Sequence, residues 1–268
     1  MTDDELREQT IAWVKSHKAD LVARFADPDK YPSVDNPVSI FMAGSPGAGK
    51  TEFSKRFIEG LGEPTARLDQ DAVREILPGY DGHNSNLFQK AASHGIDILH
   101  DSVLAHGQNF LLDTTFSSPA KAMTNIERSL NRGRKIHVIY VYQDPAVAWE
   151  FTKRREAVEG RHVPKEVFDR GFLGSREVIN EIIKNFGEAV TLMLVTKNYE
   201  MPDQEEWRLA RAKYTPEANG RKTNALYHLL YEAPFAEQDK FFKTVIRMAD
   251  EDQLALSKKY DELMAKQR

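Results

Sequence analysis

The sequence predicts an α/β fold in which a mostly parallel sheet of about five strands lies between two layers of helices. Short apolar runs alternate along the chain with helical patterns of 3.6-residue period. The run at residues 38–43 leads into Gly-x-x-x-x-Gly-Lys-Thr at residues 44–51, and a helical pattern follows at once. Strand, glycine-rich loop and helix in this order predict the three-layer sandwich of the P-loop NTPases.

Composition narrows the class of protein. The chain has 268 residues, a net charge of −4, a pI of about 6.1 and no cysteine. This length suits one α/β domain with added helices, and the acidic balance argues against binding of long nucleic acids. The absence of cysteine excludes disulfides and thiol catalysis. No signal-like segment or run of about eighteen apolar residues occurs, so we expect a cytoplasmic protein without a membrane span.

The pattern divides the chain into three segments. Residues 1–36 are predicted to be an N-terminal helix (3–26) and a proline-rich linker, and residues 37–197 to be the P-loop core. Residues 198–268 are predicted to be a C-terminal helical extension, irregular at first and then an amphipathic helix from about residue 237. This helix either packs on the core, which we favour, or binds a partner helix.

The core is predicted to alternate strands with helices. Strands are expected at residues 38–43, 66–68, 109–113, 135–142 and 189–196. Helices are expected after the loop up to about residue 62, at 86–106, around 122–130, near 145–158 and near 164–186. In such a sheet, ligands bind at the carboxyl ends of the strands.

The glycine-rich loop is the strongest functional signal. Its glycines allow a close approach of the backbone to phosphate oxygens, and the N–H groups of the following helix end add to the attraction. Lys50 would reach the β- and γ-phosphates of ATP, and the Thr51 hydroxyl would hold Mg²⁺. The alternative, a tight turn that binds nothing, is disfavoured by the flanking strand. The predicted nucleotide-binding residues are Gly44, Ser45, Pro46, Gly47, Ala48, Gly49, Lys50 and Thr51.

Acidic residues close two of the predicted strands. Asp69 and Asp71 follow the second strand, where one carboxylate could accept a proton from a substrate hydroxyl and the other could cap the next helix. Asp113 ends the third strand in the apolar-apolar-Asp form typical of a Walker B strand, where it could orient Mg²⁺. A purely structural capping role is the alternative for each of these residues.

Two arginines are candidates for stabilising a moving phosphoryl group. Arg154 lies on a predicted helix and Arg161 on the connection after it. Guanidinium groups suit phosphate oxygens because they offer several fixed donors. By spacing alone, a solvated basic helix face explains these residues better. The histidines show no zinc-binding spacing, so a zinc site is not expected.

Taken together, these motifs resemble those of the zeta toxin family of toxin–antitoxin kinases. The resemblance covers about residues 36–197 and rests on the ordered set of loop, Asp69-x-Asp71, Leu112-Asp113-x-Thr115, Arg154-x-Glu156 and Arg161-x-x-Pro164. Asp71 follows Lys50 by 21 residues (71 − 50), as in the family. The arginines are 7 residues apart (161 − 154), whereas the family's gap is usually longer.

The resemblance implies an activity. Family members transfer the γ-phosphate of ATP, with Mg²⁺, to a hydroxyl of a UDP-activated amino sugar such as UDP-N-acetylglucosamine. It implies that Asp71 is the catalytic base, that Arg154 and Arg161 clamp the γ-phosphate, and that Asp97, Asp113 and Thr115 contact the substrate. Asp97 and Asp113 stand where the family usually has glutamate, which puts the exact sugar in question.

Other functions remain open at this stage. The acceptor could instead be NAD or a nucleic-acid 5′-hydroxyl, or the chain could be a regulatory NTPase without an acceptor. No Asn-Lys-x-Asp guanine motif occurs, which argues against a GTPase. The resemblance also implies an antitoxin partner, and the added terminal segments are an alternative source of restraint in cis.

Overall fold

The computed structural model describes residues 2–196, 207–208 and 224–266. Its centre is a sheet with the strand order β2-β3-β1-β4-β5-β6. Strands β1 to β5 are parallel and β6 is antiparallel to β5, which confirms the predicted α/β fold. The strands are β1 (Val38–Ala43), β2 (Ala66–Asp69), β3 (Phe110–Asp113), β4 (Lys135–Tyr142), β5 (Thr191–Thr196) and β6 (Trp207–Arg208).

Helices cover both faces of the sheet. Alternate residues of β1 point to opposite faces, and all six of its residues are buried. Phe41 joins a core cluster that is completed by α1, α2, α5, α6 and α8, whereas Ile40 joins a second cluster with α3 and α10. The helices are α1 (Asp3–Ser16), α2 (Lys18–Phe25), α3 (Lys50–Leu61), α4 (Gln70–Glu75), α5 (Ser85–Ala105), α6 (Pro119–Leu130), α7 (Pro145–Glu159), α8 (Lys165–Phe186), α9 (Ala225–Tyr227) and α10 (Phe235–Lys266).

The N-terminal segment differs from the single helix predicted over residues 3–26. Thr2 and Glu5 form a capping box at the start of α1, and the helix is interrupted at His17, where φ is −110° and ψ is 34°. The Ser16 hydroxyl donates to the carbonyl oxygens of Ala12 and Trp13, a local bond that competes with regular helix geometry. The break reorients α2 so that Leu21 is buried together with Val14 of α1.

The C-terminal helix is an integral part of the described structure. Helix α10 begins at Phe235, two residues before the predicted start, and packs on α3 and α7. Phe242 is fully buried and stacks on Phe57 of α3, with ring centroids 5.8 Å apart. Asp252 accepts two hydrogen bonds from Arg56, each of 2.8 Å. These contacts favour packing on the core over an open surface for a partner helix.

Two further expectations concern the irregular segment after residue 197 and the absence of a membrane span. Most of the irregular segment predicted after residue 197 lies outside the described residues. Within the described part of the chain, no helix combines the length and the apolar character that a membrane crossing requires.

Candidate functional site

A cavity of about 450 Å³ lies at the carboxyl ends of β1, β2 and β3. The register of the sheet sets Asp69 at the end of β2 directly beside Asp113 at the end of β3, and the glycine-rich loop follows β1. The charged residues that line the cavity are Lys50, Asp69, Asp71, Arg74, Asp113, Arg155, Arg161 and Arg170. Cations outnumber carboxylates in this set, so the cavity is suited to a polyanionic ligand.

The loop has the backbone geometry of a phosphate cradle. Gly44, Gly47 and Gly49 have φ angles of +143°, +74° and +85°. A Cβ atom on Gly47 would lie 2.0 Å from the carbonyl oxygen of Ala148, and one on Gly44 would lie 2.4 Å from that of Val141. The loop therefore packs so tightly that only glycine fits at these two positions. Gly49 caps the N-terminus of α3, whose free N–H groups attract anions.

Lys50 is buried beneath this loop. Its Nζ donates a 2.7 Å hydrogen bond to the carbonyl oxygen of Ser45. Burial lowers the pKa of Lys50 to about 8, and the nearby Asp113 carboxylate opposes that shift. A phosphate group in the cavity would offer the ammonium a better partner than one carbonyl oxygen. The loop, Lys50 and the α3 terminus thus fit the triphosphate of ATP.

Asp69 and Asp71 make different contacts, and only Asp69 caps the next helix. Asp69 caps α4, because its Oδ1 accepts the backbone N–H of Asp71 at 2.9 Å. Burial and the neighbouring Asp113 raise the pKa of Asp69 to about 6. Asp71 then lies in the first turn of α4 and faces the cavity, where a carboxylate can accept a proton from a bound hydroxyl.

Two arginines hold the carboxylate of Asp71. Its Oδ1 pairs with Nη1 of Arg74 at 2.6 Å, and its Oδ2 pairs with Nη1 of Arg161. Burial alone would raise the pKa of Asp71, but Arg161 and then Arg74 outweigh burial and lower it. Asp71 is therefore ionised at neutral pH, as a general base must be.

Asp113 forms the floor of the cavity. Its Oδ2 accepts hydrogen bonds from Ser54 at 2.7 Å and from Arg67 at 2.5 Å. Thr51 and Thr115 line the same cavity. One carboxylate and one hydroxyl suit Mg²⁺, which is usually held by few protein oxygens and keeps several waters. Among the described residues, no group of three or more acidic, histidine or cysteine side chains is arranged to hold a metal.

Among the predicted site residues, Gly44, Ser45 and Ala48 of the loop are buried outside the cavity lining, and Arg154 and Asp97 lie away from the cavity. The guanidinium of Arg154 lies 5.4 Å above the ring of Tyr260 in α10, and Asp97 in α5 pairs with Lys121 at 2.8 Å. Neither contributes to the cavity lining, whereas Arg155 does. Adjacent residues of a helix point about 100° apart, so only one of the two arginines can face the site. The roles predicted for Arg154 and Asp97 would require both side chains to move, and these roles stay predictions.

The sequence interpretation missed several residues of the site. Arg155 pairs with Glu52 and Glu159 at the cavity wall. Arg74 lies three residues after Asp71 on the same helix and pairs with it, and this spacing could have suggested the contact. Gln89 of α5, which also lines the cavity, carries no sequence signal.

The fold and the loop define a P-loop nucleotide-binding protein with a parallel core. Within that class, the chain belongs to the Zeta toxin family, whose sequence pattern matches residues 22–228. Family membership supports a phosphotransferase of the toxin kinase type. The match includes the whole cavity lining but ends before α10.

Solved structures that this chain resembles share little sequence with it. The PezAT chromosomal toxin–antitoxin system of Streptococcus pneumoniae matches with 14% identity and a TM-score of 0.56, covering 94% of this chain and 97% of the other. The AvrRxo1-ORF1:ORF2 complex matches with 13% identity and a TM-score of 0.49, covering 77% and 67%. A gluconokinase from Sinorhizobium meliloti matches with 11% identity and a TM-score of 0.38, covering 88% and 100%. No curated protein matches this sequence.

Proposed function

We propose that this protein is an ATP-dependent kinase that phosphorylates a hydroxyl group of a nucleotide-activated sugar resembling UDP-N-acetylglucosamine. One observation carries the proposal: Asp71 and the glycine-rich loop line the same cavity. There, Lys50 of the loop interacts electrostatically with both Asp71 and Arg161. A base and a phosphate cradle in one cavity are what phosphoryl transfer to an alcohol requires.

The residues divide into donor and acceptor halves. The loop at residues 44–51 holds the β- and γ-phosphates, with Lys50 neutralising their charge. Thr51 and Asp113 would hold Mg²⁺, which would supply further neutralisation of the phosphate charge. Arg161 pairs with Asp71 in the same cavity and would stabilise the charge that develops on the γ-phosphoryl oxygens.

Asp71 would serve as the general base. The acceptor oxygen attacks the γ-phosphorus, the bond to the β-bridging oxygen breaks, and ADP leaves. The hydroxyl proton passes to the carboxylate of Asp71. Because Asp71 is ionised at neutral pH, it is ready to accept this proton.

The acceptor half of the cavity has the polarity of a sugar nucleotide site. Hydroxyl and amide side chains suit sugar hydroxyls, and an exposed guanidinium suits the diphosphate of the acceptor. Neutral polar residues of the cavity lining that we assign to the acceptor include Ser85, Asn86, Gln89, Thr115 and Ser117, and the exposed guanidinium is that of Arg170. The same chemistry would accept another nucleotide such as NAD, so the acceptor must be identified by experiment.

The test is product analysis by mass spectrometry. The protein is incubated with Mg·ATP and a panel of UDP-sugars, NAD and a 5′-hydroxyl oligonucleotide, with Lys50→Met as the inactive control. The proposal predicts one added phosphate on a UDP-amino sugar. Phosphate on NAD alone, or release of free phosphate alone, would overturn the assignment of the acceptor.

A toxic activity restrained by a partner is part of the same proposal. Val14 of α1 and Phe242 of α10 are fully buried in the core, so these helices are poor candidates for removable inhibitors in cis. We therefore favour an antitoxin that acts in trans. Expression of the wild-type protein should arrest growth of a bacterial host, while Lys50→Met should not. Equal growth of the two strains would contradict the toxin assignment.

A further inference from the structure

The two arginines that hold Asp71 differ in how firmly they are themselves held. The side chain of Arg74 is 5% exposed, whereas that of Arg161 is 30% exposed. Arg74 lies within α4, while Arg161 lies on the connection between α7 and α8, directly after Gly160 with φ of +74°. One partner of the carboxylate is thus fixed in the fold and the other is on a loop.

Arg74 is also hydrogen-bonded to a residue of a second helix, α5. Its Nη1 donates to Oδ1 of Asp71 at 2.6 Å, and its Nη2 donates to Oε1 of Gln89 at 2.6 Å. The two bonds use different nitrogens of one planar group, so they define the plane of the guanidinium. The chain Asp71–Arg74–Gln89 therefore connects the carboxylate on α4 to the long helix α5.

The two helices that carry this chain are in close contact. Val73 of α4 packs against Gly95 of α5 so closely that a Cβ atom on Gly95 would lie 2.6 Å from Cγ1 of Val73. Val73 is fully buried and Gly95 is buried as well. A rigid contact beside a hydrogen-bonded chain is the kind of support that holds a catalytic group within a fraction of an ångström.

Arg161, by contrast, has a stronger potential partner in the cavity. A γ-phosphate has more acceptor oxygens and more negative charge than one carboxylate, and arginine forks bind phosphate in a bidentate manner. When Arg161 turns to a phosphate, Oδ2 of Asp71 loses its partner, while Oδ1 stays bound to Arg74. The carboxylate then presents one defined oxygen to the acceptor hydroxyl.

We propose that Arg74 is a positioning residue for Asp71, which it holds by Oδ1 with support from Gln89, so that Oδ2 is the oxygen that faces the acceptor. The inference rests on the proposed function, since it needs Asp71 to be the base. It adds a group that acts through Asp71 and sets the direction of proton transfer.

The charge of Arg74 has a separate consequence for pH dependence. Arg74 is one of the cations that lower the pKa of Asp71, so its removal should raise that pKa. The activity of a general base is lost as pH falls through its pKa, and a raised pKa moves this acid limb to higher pH. The charged groups that face Asp71 from the surrounding elements are Lys50, Asp69, Arg74, Arg155 and Arg161.

Three variants separate orientation from charge. Arg74→Met removes both, Arg74→Lys keeps the charge but loses the planar fork that binds Asp71 and Gln89 together, and Gln89→Met removes the support without a change of charge. Because Gln89 also lines the cavity, KM for the acceptor is measured in this variant to separate lost support from a lost substrate contact. Arg247→Met is the matched control, because Arg247 forms an exposed pair with Glu251 on α10. Each variant is compared by thermal unfolding, by kcat and KM for ATP across pH, and by NMR titration of the Asp71 carboxyl.

We expect kcat to fall about 10- to 100-fold in Arg74→Met, the scale seen for outer partners of functional groups. KM for ATP should hold, and the acid limb and the Asp71 titration should both move to higher pH. Arg74→Lys and Gln89→Met should lose kcat by several-fold with little movement of the acid limb. Arg247→Met should match the wild type.

Two results would count against different parts of the account. Wild-type kcat and an unmoved Asp71 titration in Arg74→Met, beside an inactive Asp71→Asn, would overturn the role of Arg74 alone. Full turnover in Asp71→Asn would overturn the base itself and with it the positioning role. If Arg74→Met does not fold, Arg74→Lys and Gln89→Met decide, and unchanged kcat in both refutes the proposal.

Discussion

Substitution of Gly47 by alanine tests whether the glycine-rich loop needs its exact backbone path. The φ angle of Gly47 is +74°, and the new Cβ atom would lie 2.0 Å from the Ala148 oxygen and 2.6 Å from Oγ1 of Thr152. Real Cβ atoms do not approach other atoms more closely than about 3.0 Å, so the loop and α7 must separate by about 1 Å. The left-handed conformation adds a cost of about 1–2 kcal/mol.

The displacement sets the size of the functional effect. A misplacement of about 1 Å in a catalytic site can reduce the rate about 10²-fold, which corresponds to about 2.7 kcal/mol. We therefore expect kcat/KM for ATP to fall about 100-fold in Gly47→Ala. The loss should include weaker ATP binding, because the backbone N–H groups no longer converge on the phosphates.

Gly62→Ala provides the matched control. Gly62 also has a positive φ, +61°, but a Cβ atom there would have no neighbour within 4 Å. This variant should lose about 1–2 kcal/mol of stability from the left-handed conformation alone, with unchanged kcat/KM. Steady-state kinetics and thermal unfolding of both variants give the comparison. If kcat/KM of the two variants agreed within about twofold, the packing argument would be refuted.

Three further predictions concern Lys50 and the C-terminal helix. Because burial lowers the pKa of Lys50 to about 8, ATP binding above that pH must first restore the proton on Lys50, and ATP affinity should decline by up to about tenfold per pH unit. Calorimetry in two buffers should detect this proton uptake. Its absence between about pH 8 and 9 would contradict the phosphate-binding role of Lys50. Phe242→Ala should lower the free energy of unfolding by about 3–5 kcal/mol, because Phe242 is fully buried. Phe235 is 53% exposed, so Phe235→Ala should change this free energy by less than about 0.5 kcal/mol. Equal effects of the two substitutions in denaturant titrations would show that α10 does not pack as described. Gln253 of α10 donates a 3.2 Å hydrogen bond to the carbonyl oxygen of Gly47 in the loop. Gln253→Leu should therefore weaken ATP binding several-fold, on the order of 1 kcal/mol. An unchanged dissociation constant for ATP would show that this contact does not stabilise the loop.

The features that the sequence predicted well are those that depend on local order along the chain. A strand followed by glycines and Lys50 fixes the loop, because φ requirements and helix start are local properties. Asp69 and Asp113 were each predicted at the carboxyl end of a strand, where ligands bind in a parallel sheet, and the register sets them side by side.

The features that escaped prediction depend on rotation or on packing between distant segments. Arg154 and Arg155 differ by one step of a helix, and α7 packs on α10, where Arg154 lies over Tyr260. Gln89 contacts Arg74 across two helices, so no residue spacing along the sequence predicts this hydrogen bond. The pairing of Asp97 with Lys121 also joins two helices, so the sequence did not predict it.

The central claim, that Asp71 accepts a proton from a hydroxyl acceptor, is tested most directly by comparing wild type and Asp71→Asn in the same phosphorylation assay. Both proteins are given Mg·ATP and UDP-N-acetylglucosamine, ATP binding is measured separately, and the phosphorylated sugar nucleotide is quantified by mass spectrometry. We expect Asp71→Asn to bind ATP as the wild type does but to form product about 10²–10⁴ times more slowly. Equal rates of product formation would contradict it.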